Sequence, residues 1–249
     1  MSSNNIPSLP LNSGNAIPVL GFGTATDPLV PDELKQAVLK AIKLGYRHFD
    51  SAANYQSEKP LGEAIKEALK LGLIESRDQL FVTSKLWTSD AHSGLVVPAL
   101  QNSLRNLGLE YLDLYLIHWP ISSTPGNYEL MINKEELMPM NFEAVWKDME
   151  ECQKLGLTKS IGVSNFSCKK LQILLDVGTI PPAVNQVEMN PFWQQKKLRE
   201  FCKEKEIHIS AFSPLGAYNT SWGTSRVMEC DTLKQIAEGK GKTIAQVCL

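Results

Sequence analysis

The chain has 249 residues, of which 43% are hydrophobic, and its 25 Lys and Arg nearly balance its 27 Asp and Glu, for a formal net charge of −2. Because these charges are mixed along the chain, we expect neither nucleic acid nor an anionic membrane surface as a partner. No stretch reaches the roughly 20 apolar residues that a membrane span requires, and the five cysteines and four histidines lack metal-ligand or CxxC spacing, which predicts no metal and no disulfide.

In chain order, predicted strands and helices alternate without a break. The N-terminus shows neither a basic segment nor an apolar signal-like run, so the expected location is the cytoplasm. Residues 8–18 are typical of a hairpin around 12–14, and 19–24 of a first short strand. Further strands are predicted at 46–52, 80–86, 112–118, 159–164, 183–189 and 207–213. Helices are predicted at 33–44, near 93–107, at 142–155, at 195–205, around 232–238 and at 243–249, and two more are expected to begin after the capping residues Ser57 and Ser167. Gly45, Gly72 and Gly156 mark three of the helix ends.

This alternation predicts an α/β fold in a single domain, 1–249. The strands are mainly apolar runs, as expected when other structure covers both faces. A doubly wound open sheet is the competing architecture, but Gly21-Phe-Gly23 lacks the third glycine of a dinucleotide fingerprint. We therefore predict a (β/α)8 TIM barrel with an N-terminal β-hairpin. Only seven barrel strands are found, so the expected barrel is truncated before the eighth strand and has two unpaired edges.

Polar side chains stand where three predicted strands end. Asp50 closes the second barrel strand and Tyr55 follows on the loop, while Lys85 and His118 close the next two strands. If these strands are parallel neighbours, the four side chains meet at one rim. Each has a simpler explanation: Asp50 and Lys85 as a structural ion pair, His118 as a satisfied core histidine, and Tyr55 as a surface residue.

Seven short motifs resemble those of the aldo-keto reductases in order and spacing. They lie at 21–24, 46–50 with Tyr55, 83–87, 116–120, 161–166, 185–188 and 212–216. Residues 149–156 and 165–171 resemble the plant branch of that family, which includes the codeinone, methylecgonone and chalcone (polyketide) reductases. The resemblance covers the whole chain and implies a (β/α)8 barrel that reduces a carbonyl to an alcohol with NADPH.

The resemblance also implies a role for each of the four rim residues. Tyr55 would act as the general acid and His118 as a donor to the substrate oxygen. A tyrosine has a reference pKa of about 10, and the Lys85 ammonium is expected to lower the pKa of Tyr55. Asp50 would keep Lys85 charged and oriented.

Further site residues are carried over from the family one by one. For the cofactor, Phe212 would stack on the nicotinamide, Ser164, Asn165 and Gln186 would bind its carboxamide, Thr24 and Asp50 would approach the ribose, and Ser213 and Leu215 would lie along the pyrophosphate. For the substrate, Trp87 and Trp119 match family positions at the pocket mouth, and Trp222 sits on the predicted loop after the seventh strand. With His118 they would line a pocket suited to a large planar or polycyclic ketone. The long connection at 120–140 is a candidate substrate loop.

The family carries its adenosine 2′-phosphate site and its C-terminal tail after the seventh strand. This sequence lacks matching residues, so the resemblance leaves the choice between NADPH and NADH open. We therefore also consider a second class of function, a truncated, non-catalytic barrel that binds nucleotide or a full-length partner. The small-molecule reductase is the preferred hypothesis, and we expect it to be a monomer.

Overall fold

A computed structural model describes residues 6–126 and 133–249 of the chain. The described part begins with an antiparallel hairpin of β1 (Ser8–Pro10) and β2 (Ala16–Pro18). Leu11 and Ile17 of this hairpin are buried against residues of the main sheet, so the hairpin closes the amino-terminal end of the sheet. The predicted hairpin is confirmed.

The main sheet has seven strands, all paired in parallel in the order in which they occur along the chain. They are β3 (Gly21–Gly23), β4 (His48–Asp50), β5 (Phe81–Leu86), β6 (Leu112–Ile117), β9 (Thr158–Ser164), β10 (Val184–Glu188) and β11 (His208–Phe212). Sequential pairing of this kind is that of a (β/α) barrel and excludes the doubly wound alternative, in which the strand order reverses. Within the described residues, β3 and β11 are the two edges of the sheet.

Helices follow the strands and cover the outside of the sheet. They are α1 (Pro31–Lys43), α2 (Glu58–Lys70), α3 (Val96–Leu107), α4 (Phe142–Lys154), α5 (Cys168–Val177), α6 (Lys196–Glu204), α7 (Asp231–Lys240) and α8 (Ile244–Cys248). Each predicted helix is present, with ends within about three residues of the prediction. In the described ranges, none of them combines the length and the apolar character needed to cross a membrane.

Two predicted helix caps behave differently. The Ser167 hydroxyl accepts a hydrogen bond from the Lys170 amide and caps α5 as expected. Ser57 occupies the cap position of α2, but its hydroxyl makes no capping bond, so that part of the prediction is wrong. The reason is that its hydroxyl contacts two other hydroxyls, those of Thr24 and Ser51.

A short antiparallel ribbon of β7 (Ser122–Ser123) and β8 (Leu137–Met138) follows β6 and was not predicted. It lies within the connection proposed as a substrate loop. Residues 127–132 of that connection lie outside the described residues, so the proposed loop stays a prediction.

Side chains on the strands alternate between the two faces of the sheet. On β6, Leu114 and Leu116 join the hairpin residues in an inner cluster, whereas Tyr115 and Ile117 join the large cluster beneath the helices. The alternation continues past the strand end, so His118 lies on the inner face. It likewise places Lys85 of β5 on the inner face, since Lys85 pairs in register with Leu116.

Candidate active site

The carboxyl ends of β4, β5 and β6 bring the predicted polar residues together. Asp50 and Lys85 are the last or next-to-last residues of their strands, and His118 follows β6 directly. Tyr55 reaches the same rim from a short 3-10 helix, Ala53–Tyr55, that turns the chain back from β4 toward α2. All four side chains therefore converge at one end of the sheet, where the active sites of such barrels lie.

Lys85 is fully buried and its ammonium is surrounded by oxygen atoms. It donates to an Asp50 carboxylate oxygen, to the Ser51 carbonyl at 2.9 Å and to the Tyr55 hydroxyl at 3.5 Å. Burial opposes the charge on Lys85, but Asp50 and Tyr55 outweigh that effect and raise the pKa of Lys85 above its ordinary value. The site thus contains a permanent buried cation.

Asp50 accepts from two donors on opposite sides. Lys85 binds one carboxylate oxygen, and the Gln186 side-chain amide donates to the other at 2.7 Å. Gln186 comes from β10, three strands away from β5 in the sheet. The Asp50 carboxylate therefore links Lys85 on β5 to Gln186 on β10, and these two hydrogen bonds fix the orientation of the carboxylate group.

The Tyr55 hydroxyl lies between Lys85 and His118. Its oxygen is 3.5 Å from Lys85 Nζ and 3.4 Å from His118 Nε2, and the two rings of Tyr55 and His118 meet edge to face with centroids 5.4 Å apart. A carbonyl oxygen placed against this pair can reach both the phenol and the imidazole at hydrogen-bond distance. The two donors thus share one acceptor position.

The pKa of Tyr55 departs from the expected direction. We expected the nearby ammonium to lower it, and Lys85 does act in that sense. Burial of the phenol raises the pKa by more, Asp50 adds to that rise, and the net pKa of Tyr55 lies above its ordinary value. The expected net direction is therefore wrong. At neutral pH Tyr55 carries its proton, which an acid requires, and Lys85 limits how far the pKa rises.

His118 is held as a neutral imidazole. Burial, and secondly the Lys85 charge, lower its pKa well below the ordinary value. Its Nδ1 has no hydrogen-bond partner among residues 6–126 and 133–249. A neutral imidazole that carries its proton on Nε2 can donate to a substrate oxygen, whereas a second positive charge beside Lys85 would be costly.

The buried histidines predict that the protein loses stability in weak acid. Burial lowers the pKa of His48, and that of His118 lies lower still, so the unfolded chain binds protons that the folded chain does not. The free energy of unfolding is unaffected by these histidines above pH 6.5, which is about their pKa in the unfolded chain. As the pH falls toward their pKa values in the folded chain, the free energy of unfolding decreases by up to about 1.4 kcal/mol per pH unit for each histidine. Half-buried His208 acts in the same direction.

Denaturant unfolding measured between pH 8 and pH 5 tests this prediction. We expect the free energy of unfolding to fall below pH 6.5, and His118→Gln, which removes one of these groups, to reduce the slope. Equal slopes in the parent and in His118→Gln would contradict the assignment of His118.

A second polar group lies across the rim at the ends of β9 and β10. The Ser164 hydroxyl donates to the Gln186 carbonyl at 2.8 Å, and the Asn165 side-chain amide donates to the His118 carbonyl at 3.0 Å. The Asn165 NH2 group thus binds the His118 carbonyl, and the Gln186 NH2 group binds Asp50. The side-chain carbonyl oxygens of Asn165 and Gln186 have no partner among the described residues. Two free acceptors beside a serine oxygen suit the NH2 group of a carboxamide.

The other predicted cofactor residues lie at the ends of the two edge strands, β3 and β11. The Thr24 hydroxyl donates to the Asp50 carbonyl at 2.9 Å, so its proton is not free for a ribose. Phe212 ends β11 half-buried, and Ser213 and Leu215 follow on the next loop. In this loop Ser213 has a φ of 49° and Gly216 a φ of 76°, and a Cβ on Gly216 would lie 3.0 Å from the Thr224 carbonyl. This tightly folded loop brings backbone to the rim, where a phosphate group could approach it closely.

The three predicted pocket tryptophans are not equivalent. Trp87 is buried and meets the His118 ring edge to face at 5.3 Å, and Trp119 is 41% exposed and stacks on His118 at 6.3 Å. Trp222 lies on the loop after β11, is 54% exposed and, among the described residues, contacts none of these rings. The structure therefore brings Trp87 and Trp119 to His118 but leaves Trp222 outside this group.

Three contacts of the site were not anticipated from the sequence. They are the Ser51 carbonyl that binds Lys85, the Gln186 amide that binds Asp50, and the Ser57 hydroxyl beneath them. A backbone carbonyl carries no residue-type signal, and Gln186 is distant in sequence from Asp50. Of the three contacts, only that of Ser57 had a signal in the sequence, where a serine at the start of a helix was interpreted as a cap.

Comparisons with known proteins agree with this fold. Residues 19–249 match the model of the aldo/keto reductase family. A (1S)-1,7-diacetoxy-luvungin A aldo-keto reductase of Citrus sinensis is 62% identical over 98% of this chain and 76% of that protein. An NADPH-dependent codeinone reductase of Papaver somniferum is 59% identical over 100% of this chain and 78% of that protein. An aldo-keto reductase of Bombyx mori, solved in complex with NADP, is 38% identical, with a TM-score of 0.86 over 98% of this chain and 79% of that one.

Proposed function

The chain belongs to the aldo/keto reductase family, and from this premise we propose that it reduces a ketone or aldehyde group of a plant secondary metabolite to an alcohol with NADPH. The observation that carries the proposal is the position of the Tyr55 hydroxyl. It lies 3.5 Å from a buried ammonium, that of Lys85, and 3.4 Å from a neutral imidazole, that of His118.

The residues opposite Tyr55 fit the cofactor. When bound, NADPH supplies the hydride that attacks the carbonyl carbon. The free side-chain oxygens of Asn165 and Gln186, with Ser164 beside them, would accept the carboxamide NH2 group and hold the ring facing Tyr55. Phe212 would stack on the nicotinamide, Thr24 and Asp50 would lie near the ribose, and Ser213 and Leu215 would follow the pyrophosphate.

The four rim residues Asp50, Tyr55, Lys85 and His118 stabilise the charge that develops on the substrate oxygen. As the carbonyl becomes an alkoxide, Tyr55 transfers its proton to that oxygen. Lys85 stabilises the phenolate that remains, because the two groups already interact in the resting site. His118 donates a hydrogen bond from Nε2 to the same oxygen, and a donor fixed in a water-poor site is most effective there. Asp50 holds Lys85 in place.

The aromatic residues around His118 favour a bulky substrate. Trp87 and Trp119 both contact the imidazole, and Trp119 is exposed, so a substrate whose carbonyl binds His118 would lie beside a large flat surface. Such surfaces bind planar or polycyclic carbon skeletons better than short chains. Trp222 and the connection at 120–140 are proposed to extend this pocket outward.

Trp119→Ala tests this pocket. We expect KM for a polycyclic ketone to rise by about fivefold to tenfold, since loss of an aromatic contact costs about 1 kcal/mol. KM for a small aldehyde should change by less than about twofold, since such a substrate makes little of the contact. Trp193→Ala, which removes another exposed tryptophan (58% against 41% for Trp119) from the loop after β10, is the control. Equal changes for both substrates would remove Trp119 from the pocket.

We also propose that the protein works in the cytoplasm as a monomer, without nucleic acid. All five cysteines are free, which suits a reducing compartment. The formal net charge of −2 gives no basis for binding nucleic acid.

NADPH oxidation in the presence of aromatic aldehydes and cyclic ketones tests the proposed function. We expect turnover with several of these compounds. No turnover, with quenching of protein fluorescence by NADPH preserved, would instead favour the non-catalytic nucleotide-binding alternative.

A further inference from the structure

The start of α2 contains a buried hydroxyl group that the proposed chemistry does not use. Ser57 is fully buried at the cap position of this helix, yet it caps nothing. Its oxygen lies 2.7 Å from the Thr24 hydroxyl and 2.8 Å from the Ser51 hydroxyl. Ser51 is fully buried and Thr24 only 1% exposed, so the three hydroxyls form a chain from which water is excluded.

Each hydroxyl has one proton to donate, and this sets the direction of the hydrogen bonds between the three hydroxyls. The Thr24 hydroxyl donates its single proton to the Asp50 carbonyl at 2.9 Å, so it must accept from Ser57. Ser57 has then used its own proton, so it must accept from Ser51. The bonds therefore run from Ser51 through Ser57 and Thr24 to the Asp50 carbonyl, and the hydroxyls of Ser57 and Thr24 are each both donor and acceptor.

Both ends of the chain lie on the backbone that holds Lys85. The Asp50 carbonyl accepts from the Thr24 amide at 3.0 Å as well as from its hydroxyl, and the Ser51 carbonyl accepts from Lys85 Nζ at 2.9 Å. Two adjacent residues thus supply Lys85 with a carboxylate and a carbonyl. Because water cannot replace a lost bond in this site, removal of one hydroxyl leaves a neighbour unsatisfied.

We infer that Ser57 is a positioning residue for the Tyr55 and Lys85 pair, which it affects through Ser51 and Thr24. It does not touch the reacting atoms. It holds the backbone at 50–51, that backbone sets the position of the Lys85 ammonium, and the ammonium sets how readily Tyr55 ionises. This role rests on the proposed function, in which Tyr55 is the acid.

Ser57→Ala tests the inference, and Ser160→Ala is its matched control. Ser160 is an equally buried serine in a hydroxyl cluster, but it contacts Ser13 and Asn15 of the hairpin side at the opposite end of the barrel. We expect Ser57→Ala to lower kcat by about tenfold, with KM changed by less than about twofold, since small displacements of catalytic groups are costly. Ser160→Ala should leave kcat and its pH profile unchanged.

A second readout needs no turnover. The ultraviolet absorbance of tyrosinate is titrated in each protein and in its Tyr55→Phe counterpart, and the difference reports Tyr55 alone. We expect the Tyr55 titration to move to higher pH in Ser57→Ala, because a looser Lys85 stabilises the phenolate less. This titration tests the inference even if the parent protein does not oxidise NADPH. Absence of NADPH oxidation would contradict only the proposed function.

Superimposable tyrosinate titrations of the parent and of Ser57→Ala would overturn the inference. If Ser57→Ala does not fold, Ser51→Ala breaks the same hydrogen bond from its other end. The same upward shift in Ser51→Ala supports the positioning role, and an unchanged titration rejects it.

Discussion

Replacement of Tyr55 by Phe is expected to lower kcat by about 10²- to 10⁴-fold, the range that general acid catalysis contributes. The variant removes one oxygen, which lies 3.5 Å from Lys85 Nζ and 3.4 Å from His118 Nε2. The ring stays, so the contact with the His118 ring is kept. Steady-state NADPH oxidation measures the loss, and fluorescence titration with NADPH should show binding within about threefold of the parent.

Tyr111→Phe is the matched control for this prediction. It makes the same chemical change at the amino-terminal end of the barrel, where the Tyr111 ring packs under Arg77 and Lys159. We expect parental kcat in this variant. If Tyr55→Phe turned over as fast as Tyr111→Phe, another group would have to supply the proton.

Replacement of Lys85 by Met is expected to abolish turnover and also to destabilise the fold by about 3–5 kcal/mol, the cost of leaving a buried charge without its partner. Asp50 keeps the Gln186 amide as its one remaining donor among the described side chains. The Tyr55 pKa should rise further, because Lys85 is the group that lowers it. Chemical denaturation measures the stability, and tyrosinate absorbance measures the pKa.

The double variant Asp50→Asn with Lys85→Met separates catalysis from structure. It removes both charges, so most of the lost stability should return. If the pair served only as a structural ion pair, turnover would return with the stability. We expect a stable but inactive protein, because the phenolate formed at Tyr55 would have no cation beside it.

The sequence predicted the positions of these polar strand-end residues well, for a local reason. Asp50, Lys85 and His118 each lie at or directly after the end of a short strand, and parallel strands place such residues at one rim. The ends of the helices could also be predicted from the sequence, because apolar spacing and terminal glycines are signals that involve only a few neighbouring residues. The ribbon of β7 and β8 was missed, since strands of two residues leave no periodic pattern.

Quantities that depend on the surroundings could not be predicted in the same way. The net pKa shift of Tyr55 has the sign opposite to that expected, because the burial of the ring outweighs the effect of Lys85. The Ser57 hydroxyl was assigned to a helix cap, but it contacts the hydroxyls of Thr24 and Ser51 and makes no capping bond. Trp222 was expected in the pocket because it lies on the loop after the seventh strand, yet it remains apart from the rings around His118.

The order of strands and helices, the family and the four residues proposed for catalysis could be predicted from the amino-acid sequence, because each prediction depends on residue type and spacing along the chain. The tertiary structure alone decided which oxygens surround the Lys85 ammonium, which amide fixes Asp50 and how strongly Tyr55 holds its proton. These properties arise from groups that are far apart in sequence and from the exclusion of water, and electrostatic interactions depend steeply on both distance and burial.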